Sequence, residues 1–97
     1  MMMDKIEELE RRYQELESLL SDPAIISNQP EFRKHSREHA DLTDLVTVYR
    51  RYRKILAEIK DNRELLTDPD MKEMAEEELK SLDVEKDQLE ADIRLLL

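Results

Sequence analysis

The sequence predicts an all-α fold, an elongated three-helix bundle with a long antiparallel helical hairpin, and three observations predict it. Glycine is absent from all 97 residues. A sheet protein of this size would need it in several tight turns, where φ must be positive. Charged residues make up 42% of the chain and aromatics 4%, against roughly 25% charged residues in ordinary globular domains, and the rest is rich in helix formers. Apolar side chains also recur at spacings of three and four over most of the length, which keeps them on one face of a helix.

The first helix is expected over residues 4–20, on the stripe Ile6, Leu9, Tyr13, Leu16 and Leu20. Ser21-Asp22-Pro23 ends it, because the proline ring clashes with a preceding helical turn. Residues 21–30 form the connection, with room for a single turn near Ala24 to Ser27. Asn28-Gln29-Pro30-Glu31 then has the pattern of a helix start, with Asn28 as cap and Glu31 reaching back to it in a capping box.

The second helix is expected over 30–66, on Phe32, His35, His39, Leu42, Val46, Tyr49, Arg53, Leu56, Ile59, Arg63 and Leu66. About 35 residues would span roughly 50 Å, more than a small globule. Part of it must therefore pair with a partner helix in coiled-coil fashion. Arg53 and Arg63 on the stripe imply a seam that is not fully closed there.

Thr67-Asp68-Pro69 separates the second helix from the third, with Thr67 or Asp68 as cap and Pro69 in the first turn. The third helix is expected over 69–95, on Met71, Ala75, Leu79, Leu82, Leu89, Ile93 and Leu96, interrupted by Lys86. So short a link makes the two helices antiparallel neighbours. Leu19-Leu20-Ser21-Asp22-Pro23 recurs as Leu65-Leu66-Thr67-Asp68-Pro69, a shared device for stopping one helix and capping the next. Two copies fall short of a solenoid.

Composition excludes several functions. With no cysteine, disulfides and thiolate metal sites are ruled out, which fits a cytoplasmic setting. The longest wholly apolar runs are three residues, as at Leu95–Leu97, whereas a membrane span takes about 20. Met1-Met2-Met3-Asp4 has no signal-peptide character. The net charge of −9 is uneven: −4 over residues 1–30, +3 over 31–54 and −8 over 55–97. That balance argues against general coating of nucleic acid and leaves a local basic contact in the middle segment.

Candidate chemistry is sparse. His35-Ser36-Arg37-Glu38-His39 fits the H-x-x-E-H pattern of inverted zinc proteases, with two His at i and i+4 and a Glu as base. Both His lie on the apolar stripe, however, and a third ligand is missing, so packing is the expected role. Glu76, Glu77, Glu78 and Asp83 suit a solvated face; a di-metal bundle site needs Glu-x-x-His spacing, which does not occur. Without glycine there is no phosphate loop or dinucleotide fingerprint. The sequence therefore predicts no catalytic residue, cofactor, metal or small-molecule substrate. The candidate binding surface is Arg50, Arg51 and Lys54, with Tyr52 beside them, suited to phosphate pairing and stacking. Ordinary salt-bridging to the acidic neighbouring helices is the competing role for these residues.

Two stretches carry a family resemblance. LLTDPDMKEMAEEEL, Leu65–Leu79, and FRKHSREHADLTDLV, Phe32–Val46, resemble the N-terminal domain of bacterial class I peptide chain release factors. The layout from Ile6 to Pro23 is also similar, so the resemblance covers nearly the whole chain. The second stretch is closer to the UAA/UAG-reading, release factor 1 type. The resemblance implies a single helical domain at the start of a longer factor that continues beyond Leu97. It implies ribosome binding near the large-subunit stalk base, through rRNA and protein, and action with the GTPase-type release factor. In the family, hydrolysis uses a Gly-Gly-Gln loop and codon reading a Pro-x-Thr tripeptide, both in other domains; neither occurs here. Arg50, Arg51 and Lys54 as ribosome contacts follow from charge, not from the resemblance. The rival reading is a stand-alone coiled-coil interaction or adaptor protein, of which a tRNA-binding synthetase arm is one version.

Overall fold

The computed structural model describes residues 1–97 as four helices and no strand: α1 Met2–Leu20, α2 Pro23–Ile26, α3 Gln29–Leu65 and α4 Lys72–Leu96. The three long helices are those expected, and α2 is the single turn allowed for in the connection. The chain divides into two compact units, residues 1–47 and 48–97, and α3 runs through both. At 37 residues it is about 55 Å long.

The two Ser/Thr-Asp-Pro breaks are built alike, as their shared sequence implied. At the first, the Asp22 Oδ1 accepts from the Ala24 N–H at 2.9 Å, and the Asp22 carbonyl accepts from the N–H groups of Ile25 and Ile26. At the second, the Asp68 Oδ1 accepts from the Asp70 N–H at 3.0 Å, and its carbonyl accepts from Met71 and Lys72. The preceding hydroxyls also do one job: Ser21 donates to the Glu17 carbonyl and Thr67 to that of Glu64. At the first break Asp22 is the cap of α2, with proline in its first turn. At the second, α4 is capped at Met71 with no side-chain cap bond, so neither Thr67 nor Asp68 is its cap and Asp68 braces the turn before it. At the second break, residues 66–71 form turns, and regular α-helix begins at Lys72 rather than at 69.

The start of α3 corrects the expected capping box. Asn28 caps it, its Oδ1 accepting from the Glu31 N–H at 3.4 Å and its carbonyl from the Phe32 N–H. The Glu31 carboxylate does not reach back, however. It turns along the helix to the Nε2 of His35, 3.4 Å away, because a buried imidazole one turn on offers a better partner than an exposed N–H that already donates to the Ile25 carbonyl.

In the first unit, Ile6, Tyr13 and Leu16 of α1 are buried, as are His35, Leu45 and Val46 of α3. In the second, Ile55 and Ile59 of α3 form a core with Leu82 of α4, and Leu79 and Leu89 pack against it. These two segments make the antiparallel hairpin that the short link predicted. Beyond Tyr49 the expected α3 stripe holds at Ile59, which is buried, and fails at Leu56. Leu56 is 41% exposed while Ile55 is fully buried, and Arg53 and Arg63 face solvent. At about 100° per residue, Ile55 lies about 40° round the helix from Ile59 and about 100° from Leu56. A strict three-and-four stripe therefore finds Tyr49 and Ile59 in the second unit but takes Leu56 where Ile55 is the buried residue. Arg53 does not open the seam; its guanidinium lies 5.8 Å from the centre of the buried Tyr49 ring, a cation–π arrangement.

Candidate functional site

The H-x-x-E-H residues are shared among three separate structural contacts. His35 is buried and faces Glu31. His39 stacks on Tyr13 of α1, with ring centres 4.1 Å apart and planes 16° off parallel, and its Nε2 lies 3.8 Å from Glu17. Glu38 takes both arms of a forked pair from Arg12: Nε to Oε2 at 2.7 Å and Nη2 to Oε1 at 2.9 Å. No three His, Asp or Glu side chains are grouped to hold a metal ion. The spacing that matches a metal motif thus serves here to seat α1 on the first part of α3.

Tyr13 is the centre of that contact. Thr43 donates its only hydroxyl proton to the His39 carbonyl at 2.8 Å. The 3.2 Å contact between the Tyr13 hydroxyl and Thr43 Oγ1 is therefore donated by Tyr13. One aromatic residue anchors α1 through both ring face and hydroxyl.

The Arg12 hydrogen bonds hold the Glu38 carboxyl below its ordinary value, partly opposed by desolvation, and the same bonds raise the Arg12 guanidinium. Because Glu38 has the lower pKa when folded, its contribution to stability is present above the usual carboxylate range. It is lost as pH falls through the folded value. Both side chains are about one-third exposed, so water screens the pair. In a melting series from neutral to acid pH, Glu38→Gln is expected to flatten the acid limb of the Tm curve. An unchanged acid limb would mean that the pair carries none of the pH dependence.

Arg50, Arg51 and Lys54 all lie exposed on α3. Arg51 pairs across the hairpin with Glu85, its Nη2 and Nε at 2.6 and 2.8 Å from Oε1, and Arg50 is engaged as well. Tyr52 is half-buried and lies on the opposite side of the helix from Arg50 and Lys54, two residues and about 200° away from each. Burial pushes its phenol above the usual value, and the neighbouring Glu90 carboxylate adds to the rise. It belongs to the hairpin seam and does not supply a stacking platform for the basic run.

A second basic surface escaped the sequence reading. Pro30, Arg33, Lys34, Arg37, Glu38 and Asp41 line an open depression of about 370 Å³ on the first part of α3. In one dimension these cations alternate with Glu31, Glu38 and Asp41 and look neutralised. The +3 balance of residues 31–54 gave no pointer to this surface, because it comes from Arg50, Arg51, Arg53 and Lys54, and residues 31–49 alone are net −1.

The fold and these contacts define an all-helical module whose H-x-x-E-H residues are engaged in packing, stacking and an ion pair. Residues 9–97 match the PCRF domain family, and the chain belongs to it. It is similar to peptide chain release factor 1 of Pelobacter propionicus, 75% identical over 96 residues that make up 99% of this chain and 27% of that protein. The release factor 1 proteins of Geobacter metallireducens and Clostridium beijerinckii are 69% and 44% identical over 96 and 100 residues, covering 99% and 100% of this chain and 27% and 28% of theirs. The chain thus spans little more than a quarter of the length of these curated relatives. No solved structure gives a significant match. No helix is long and apolar enough to cross a membrane.

Proposed function

We propose that this chain is the N-terminal helical module of a release factor acting at UAA and UAG stop codons, and that it positions the factor on the ribosome near the large-subunit stalk base. Peptidyl-tRNA hydrolysis and codon reading then belong to other parts of the factor, and the module itself carries no catalysis. The observation that carries the reading is the family match over residues 9–97, joined to relatives named peptide chain release factor 1 that are several times longer than the chain. The second partner on this reading is the GTPase-type release factor.

Arg50, Arg51 and Lys54 are proposed as ribosome contacts. Lys54 is exposed, and the Arg51–Glu85 pair is exposed enough to be worth about 0–1 kcal/mol, so a phosphate can take Glu85's place at little cost.

The test compares the complete factor with a form lacking residues 1–97 in peptide release on ribosomes stopped at UAA. Deletion is expected to raise the concentration needed for half-maximal release by about tenfold, with the rate at saturation held within about threefold. Loss of the saturating rate by about a hundredfold or more would overturn a purely positioning role. A reading frame without any release-factor domain after this one would favour the adaptor reading.

A further inference from the structure

The depression on the first part of α3 has the chemistry of a phosphate-backbone site. Two of the three acids that should neutralise it are engaged elsewhere. The Glu31 carboxylate faces His35, and the Glu38 carboxylate, which lines the depression and also attracts Lys34, is held in the Arg12 fork and offset by it. Arg33, Lys34 and Arg37 are exposed. The polar contact of Arg33 is a 3.4 Å hydrogen bond to the neutral Gln29 amide oxygen, and neither Lys34 nor Arg37 is in ion-pair contact with a carboxylate. Asp41, which also lines the depression, is the third acid.

We infer that Arg33, Lys34 and Arg37 form a binding site for the sugar-phosphate backbone of RNA, distinct from the Arg50–Lys54 segment. Arg33 and Arg37 stand one turn apart, with about 6 Å between their Cβ atoms. That separation lets two guanidiniums take neighbouring phosphates of one strand. Each fork can bind a phosphate through two parallel N–H donors, and Lys34, between them in sequence, adds a mobile point charge. No aromatic side chain lines the depression, so the site follows a backbone and does not read bases. On a chain of net charge −9, so local a basic surface selects an orientation rather than coating nucleic acid. The inference deepens the release-factor reading, for which RNA is the natural source of phosphate.

The test is fluorescence anisotropy of the 97-residue chain with a short labelled RNA hairpin, from about 20 to about 200 mM salt. Arg33→Glu/Lys34→Glu/Arg37→Glu is expected to weaken binding at least about tenfold at low salt and to reduce the log–log salt slope by about 2 to 3, with the helical circular dichroism unchanged. Asp41→Asn should tighten binding several-fold, a gain that an unfolded variant cannot produce. Parental affinity in the triple variant, or no salt-dependent binding by the parent, would overturn the site. Competition by poly-glutamate as effective as that by unlabelled RNA would overturn the RNA assignment in favour of an acidic polypeptide. Because the probe is free RNA, this result stands or falls apart from the release measurement on the deleted factor.

Discussion

Ile55→Ala should destabilise the chain by about 2–5 kcal/mol, while Leu56→Ala, one residue on, should change stability by no more than about 0.5 kcal/mol. Ile55 is fully buried against Ile59 and Leu82, with Leu79 and Leu89 around them. Truncation there removes three carbons from a site that α3 and α4 hold open from two sides, so a cavity remains. Leu56 is 41% exposed, and alanine is the better helix former. Urea unfolding followed by circular dichroism separates the two variants. Equal losses would show that α3 presents the face of the simple three-and-four stripe to α4, against the observed packing.

Tyr13→Ala should cost about 3–5 kcal/mol, in the range of large aromatic truncations, whereas Tyr13→Phe should lose only about 0.5–1.5 kcal/mol, the net worth of one hydrogen bond. The ring is buried and stacked on His39, and such ring pairs add about 0.5–1.5 kcal/mol beyond their buried area. The hydroxyl donates to Thr43, whose own proton is already given to the His39 carbonyl. Denaturant unfolding of both variants distributes the anchoring between ring and hydroxyl. If Phe were as damaging as Ala, the polar network rather than the stacked ring would be what holds α1.

The two predictions bear on the same distinction between local and distant causes. The Asp-Pro breaks were legible because every donor and acceptor in them lies within one helical turn: Asp22 and Asp68 serve N–H groups two to four residues on. The candidate surfaces were legible only in part. Arg50, Arg51 and Lys54 stand out as a dense run, yet nothing in the run shows that Arg51 meets Glu85, 34 residues away. Arg33, Lys34 and Arg37 were hidden among acids whose disposal depends on Arg12, 26 residues from Glu38.

By itself, then, the sequence determined the helical class, the three long helices with the turn between the first two, the sites of the breaks, and the release-factor resemblance. These rest on glycine content, on three-and-four spacing and on caps, all properties of a few neighbouring residues. Only the tertiary structure decided which residues of α3 are buried beyond Tyr49, which side chains of α1 meet Glu38 and His39, and that Glu31 abandons its cap for His35. The physical reason is one of range. A helix 37 residues long offers every face to solvent equally until α1 and α4 choose among them, and that choice is made by side chains distant in the chain.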